Sequence, residues 1–162
     1  MRVVWLLLFS GICLRGEFLR IEVEFQDTGC ASCLESLQGR LERVRGIERV
    51  EIDAANGIAR MQLAAGNKVR LGPLLARITQ DGTKILSTHV SARGVIGAAE
   101  PGPLLQLSGI AESYLLKLPV KLSPALEAGA TYRVAGAIQE PGSSDQAILQ
   151  VEAVTPDSEA AK

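Results

Sequence analysis

Between Phe25 and Leu34 the spacing of apolar residues changes from every second position to every third or fourth, and the change falls on two cysteines, Cys30 and Cys33. Upstream, Arg20-Ile21-Glu22-Val23-Glu24-Phe25 alternates charged and apolar side chains, the pattern of a strand with one buried face. Downstream, Leu34, Leu37, Leu41 and Val44 form a stripe at helical spacing, with Glu35, Gln38, Arg40, Glu42, Arg43 and Arg45 on the other side. The stretch Asp27-Thr28-Gly29-Cys30-Ala31-Ser32-Cys33-Leu34 is therefore a strand-to-helix junction that carries two thiols. Asp27 suits the N-cap of the helix. A helix N-terminus presents unpaired N–H groups and a partial positive charge, which favour thiolate over thiol and make a cysteine there a better nucleophile and a better metal ligand. The pair is a soft-metal clamp or a redox dithiol.

The pattern that follows extends the scaffold. Gly46 suits a left-handed helix cap, Ile47 to Asp53 alternates again, and Asn56-Gly57 is a strong hairpin signal before a return strand from Ile58 to Leu63. Leu71, Leu74, Leu75 and Ile78 make a second helical stripe, with Pro73 tolerated in its first turn and Gly82 closing it. Lys84 to Val90 reads as a fourth strand. Strand, helix, strand, strand, helix, strand is the order of an α+β, ferredoxin-like βαββαβ domain, with a four-stranded antiparallel sheet and both helices on one face, expected over residues 17–94. Gly97-Ala98-Ala99-Glu100-Pro101-Gly102-Pro103 then reads as a linker, residues 95–102. Short apolar runs at Leu104 to Ile110, Tyr114 to Leu122, Thr131 to Ile138 and Ala147 to Val154 predict a separate small all-β domain, an OB-like barrel, over residues 103–156. Residues 157–162 form a polar tail expected to be disordered.

Composition excludes several function classes. A net charge of −1 with no basic block lacks the electrostatic footprint of a nucleic-acid binder, so no nucleic-acid partner is expected. The chain has one histidine, His89, and no paired-carboxylate, Ser/His/Asp or Cys/His arrangement, so no enzyme activity is expected. His89 reads as a surface or half-buried strand residue. Residues 1–16 hold Arg2 and then an apolar run, Val3 to Leu14, too short for an ordinary membrane anchor but shaped like a secretory signal. Export to the periplasm or another extracytoplasmic space is the expectation, with contact to a membrane only if that segment is retained. Removal of the segment with Cys13 leaves Cys30 and Cys33 as the cysteines of the mature chain.

The segment resembles the heavy-metal-associated domain family of copper chaperones, amino-terminal modules of copper-transporting ATPases and the periplasmic mercury-binding protein. Cys30-Ala31-Ser32-Cys33 fits the cysteine half of the family's Gly-Met-Thr-Cys-x-x-Cys. Gly46-Ile47-Glu48-Arg49-Val50-Glu51-Ile52-Asp53 fits its Gly-Val-x-x-Val-x-Val stretch, and Leu74 to Gly82 its Leu-x-x-x-Ile-x-x-x-Gly. Thr28 stands where the family has methionine, and Thr83 with Lys84 follows Gly82 where the family often has Tyr, Phe or Lys. The resemblance implies a metallochaperone that binds a soft ion through Cys30 and Cys33 and exchanges it with a metal-donor or metal-acceptor protein.

Cu(I) accepts two thiolates alone, so these cysteines complete its site, and Hg(II) and Ag(I) suit the same pair. Zn(II) wants four ligands, so a closed zinc site requires two chains to share the ion in a metal-bridged homodimer. Thr28, Ser32 and Lys84 are candidates to hydrogen-bond or electrostatically balance the sulfurs. Two alternatives stay open: a thiol–disulfide redox protein, and a non-catalytic interaction protein with a degenerate metal site.

Overall fold

The computed structural model describes residues 16–26, 30–119, 126–139 and 147–157. The apolar N-terminal run with Cys13, Asp27 and Thr28 of the cysteine loop, residues 140–146 and residues 158–162 lie outside them. The first six elements are β1 (Glu17–Phe25), α1 (Ala31–Glu42), β2 (Ile47–Asp53), β3 (Ile58–Leu63), α2 (Leu71–Thr79) and β4 (Ile85–Gly97). Then come β5 (Leu104–Leu107), β6 (Glu112–Lys117), β7 (Thr131–Gln139) and β8 (Ile148–Pro156). Strands hold 50% of the described residues and the two helices 17%. Neither helix is long and apolar enough to cross a membrane.

Each element begins from its residue pattern. Ile21 and Val23 are fully buried on one face of β1, while Arg20, Glu22 and Glu24 keep to the other. Leu37 and Leu41 of α1, and Leu71, Leu74 and Ile78 of α2, bury against that apolar face in one continuous core. The first helix is shorter than its stripe. α1 ends at Glu42, with Val44 packing from the connection beyond it, and α2 ends at Thr79. In the β2–β3 hairpin, Asn56 donates its amide to Asp53 at 2.9 Å and Gly57 takes φ 62°.

The expected ferredoxin-like domain followed by a separate β domain is overturned, because β4 belongs to both halves. It runs seven residues past Val90, the expected end of the fourth strand, and residues 95–97 are strand where a linker was expected. One sheet of eight strands results, in the order β2-β3-β1-β4-β5-β6-β8-β7, with a further β4–β7 pairing. That last pairing closes β4, β5, β6, β8 and β7 into a five-stranded barrel. On one edge β4 holds β1 from Ile85 to Arg93 and then β5 from Val95 to Gly97; on the other it holds β7 from His89 to Val95. Within the barrel β6 and β8 are parallel and the remaining pairs antiparallel.

The physical reason lies in β4. Thr88, Val90, Ala92 and Ile96 are buried at every second position or its multiple, so one face of the strand passes from the helix-covered core into the barrel interior. Gly94 marks the changeover from β1 to β5. A Cβ there would stand 2.7 Å from the Gln106 carbonyl oxygen and 2.9 Å from the Leu105 and Leu107 side chains, so only glycine lets β5 approach.

A buried ionic clasp ties the halves together. Glu17, 1% exposed, accepts from Arg93 Nη2 and from the Gly66 N–H, each at 2.5 Å. Arg93 also contacts Asp157 at 3.5 Å, and Asp157 accepts from Arg133 Nε at 3.0 Å. Asp157 had been expected to open the disordered tail. It is instead held by two arginines, with its side chain 4% exposed.

Candidate metal centre

The cysteines sit where β1 hands over to α1. The Phe25 N–H donates to the Gly57 carbonyl and the Gln26 N–H to the Lys84 carbonyl, both at 2.8 Å, which fixes the end of β1 against the hairpin turn and the lead into β4. The chain re-enters the described residues at Cys30 in an extended conformation, φ −108° and ψ 99°. Cys30 is the N-cap of α1, the place that Asp27 suited by residue type. Its carbonyl accepts from the Cys33 N–H at 3.1 Å and the Leu34 N–H at 3.2 Å, while its Sγ accepts from the Cys33 N–H at 3.3 Å. A sulfur thus takes the role that a Ser or Asp oxygen has in most caps.

Cys30 and Cys33 are joined as a disulfide, with their Cα atoms 5.2 Å apart. Both residues are half-buried, and Ala31 and Ser32 between them are exposed. The first turn of α1 contains no acidic side chain. Among the described residues no first-turn acid offsets the positive end of the helix dipole, an environment that favours thiolate over thiol. The donors aimed at that sulfur are the Cys33 N–H and Ser32 Oγ, which lies 3.4 Å from Cys30 Sγ.

The remaining sequence candidates fare differently. Ser32 Oγ lies within hydrogen-bonding distance of Cys30 Sγ. Lys84 is exposed, and its backbone carbonyl accepts from the Gln26 N–H just past β1. Its neighbour Thr83 is buried, its hydroxyl bonded to Asp81 Oδ1 at 2.6 Å. That bond, with the Arg40 guanidinium 2.6 Å from the other carboxylate oxygen, holds the Asp81 carboxyl down to about 2 from an ordinary 3.8. Thr28 lies outside the described residues. His89 is on β4, its Nε2 3.4 Å from Glu152 Oε1, and faces Glu22 across the β1–β4 ladder. Among the described residues no group of three or more His, Cys, Asp or Glu is placed to hold a metal ion.

Sequence reasoning passed over the arginines of the sheet. Arg20, Arg49 and Arg60 belong to separate strands, yet with Glu51 and Gln62 they line one cavity of about 190 Å³. The Asn56-Gly57 turn was the usable signal, since it fixes the β2–β3 register and so sets Arg49 opposite Gln62 and Glu51 opposite Arg60.

No protein-family model and no curated protein matches the chain. Among solved structures, the chain is similar to the apo form of the HMA domain of a copper chaperone for superoxide dismutase. The identity is 19%, the match covers 44% of this chain and 68% of that one, and the TM-score is 0.37.

Proposed function

We propose that the protein, with Cys30 and Cys33 reduced, binds one thiophilic ion between the two sulfurs, Cu(I) foremost, and exchanges it with a partner protein. The observation that carries this is the convergence of two half-buried sulfurs at a helix N-terminus whose first turn holds no acid. Two thiolates satisfy Cu(I), Ag(I) or Hg(II), whereas structural Zn(II) needs four donors. The donor set therefore fits a soft ion. The two negative charges of a bis-thiolate sit at the positive end of the α1 dipole, and Cys30 keeps the hydrogen bonds from Ser32 and the Cys33 amide. Ala31 and Ser32 are exposed, so a partner's thiolate can approach the ion from solvent and displace one cysteine before the other. Oxidation to the disulfide removes both ligands at once. In an exported protein, metal loading and disulfide formation therefore compete for the same pair.

The disulfide itself supports a second function, thiol–disulfide exchange at the same helix start. Anaerobic titration of the reduced full chain with Cu(I) against a competing chelator separates the two. One tightly held equivalent is expected, lost in Cys30→Ser and lost when the wild type is oxidised first. Absence of copper retention, with turnover of a reducible disulfide substrate, would favour the redox protein instead.

A further inference from the structure

The sheet face turned away from the helices carries its charges in two rows set by strand register. One row reads Glu51, Arg60, Glu22, His89 across β2, β3, β1 and β4. Its first three members alternate in sign. The adjacent row reads Arg49, Gln62, Arg20, Ser91 and contains no carboxylate. Opposite charges on neighbouring strands stabilise a sheet and like charges weaken it, and the first row, with two carboxylates to one arginine, supplies ion-pair partners to both arginines of the second.

These rows meet in the 190 Å³ cavity, lined by Arg20, Arg49, Arg60, Glu51 and Gln62, with Glu22 and Asp53 paired to the same arginines. Carboxylates hold the arginines in place without exhausting them. Glu22 takes Arg20 Nη2 at 3.2 Å and Arg60 Nε at 3.1 Å, Glu51 takes Arg49 Nη2 at 2.6 Å, and Asp53 lies 3.7 Å from Arg60 Nη1. A guanidinium carries five N–H donors, so each arginine retains donors beyond those its ion pairs engage. Arg20 is also the shared wall of a neighbouring cavity of about 310 Å³. Ser91, Ala135 and Gly136 line it with short side chains, beside Glu22, His89, Val90 and Glu152.

We infer that this face binds a small polyvalent oxyanion of phosphate or sulfate type. Its charged head is held by the forked donors of Arg20, Arg49 and Arg60, and the adjacent cavity has room for the body of an organic ligand. Planar forks match two oxygens of such a group at once, which ammonium groups cannot do. The site is built from β1, β2 and β3 and uses neither cysteine.

The probe is inorganic pyrophosphate, titrated calorimetrically into the full chain at low ionic strength, with amide NMR to locate the contact. Saturable one-to-one binding is expected, with resonance shifts centred on Arg20, Arg60 and Gln62. Arg20→Gln and Arg49→Gln should each weaken it by about tenfold or more. Lys68→Gln removes the same charge from another exposed position and should leave it unchanged. Thermal unfolding of each variant without anion separates lost binding from lost fold. No saturable binding, or equal weakening by Lys68→Gln, overturns the site.

Discussion

Cys30 serves two purposes in one side chain, since its sulfur is both a partner of Cys33 and the acceptor that caps α1. The two purposes can be pulled apart by substitution. Serine keeps an acceptor at the N-cap and alanine does not, so reduced Cys30→Ala should be less stable than reduced Cys30→Ser by about 1 kcal/mol. Both should lose the metal. Urea unfolding under reductant reads the first difference, and equal stabilities would show that an acceptor at this position contributes no cap. The cysteines themselves were legible because their chemistry is local: two thiols, a fixed spacing and a change of hydrophobic period. The capping residue was not. Asp27 is the better capper by residue type, but α1 begins only at Ala31, and so its N-cap is a cysteine.

At the level of elements, β4 explains both what patterns revealed and what they concealed. Alternation in Arg20–Phe25, Ile47–Asp53 and Ile58–Leu63 identified three strands, because a half-buried strand writes its inner face into the sequence at every second residue. Alternation does not say which strand lies at either edge. Thr88, Val90 and Ala92 read alike whether β4 ends a sheet or continues into a barrel, and the glycines and proline after Gly94 looked like a linker. Gly94 permits the continuation. Gly94→Ala would drive a methyl group toward the Gln106 carbonyl, 2.7 Å away. We expect it to cost about 1–3 kcal/mol in denaturant unfolding. An unchanged midpoint would mean that β5 does not need this close approach.

Over the whole molecule, one hydrophobic core and one ionic clasp make the helical half and the barrel a single body. Glu17, Arg93, Asp157 and Arg133 are separated by up to 140 positions in sequence and meet only because β4 brings both halves to the same place. No periodicity announces such a network. Each residue read singly is a charge on a strand or in a tail, and long-range pairing of this kind emerges only with topology. The same holds for the arginine cavity, whose members come from three strands. The cysteine pair differs in being contained within one turn of helix, and this is why it could be found first. Its role as a two-sulfur clamp is the central claim. X-ray absorption at the copper edge, on the anaerobically reduced full chain loaded with one equivalent of Cu(I) and desalted, tests it most directly. The expected spectrum is Cu(I) bound by two sulfurs alone; nitrogen or oxygen neighbours around the copper, or loss of the metal on desalting, would contradict it.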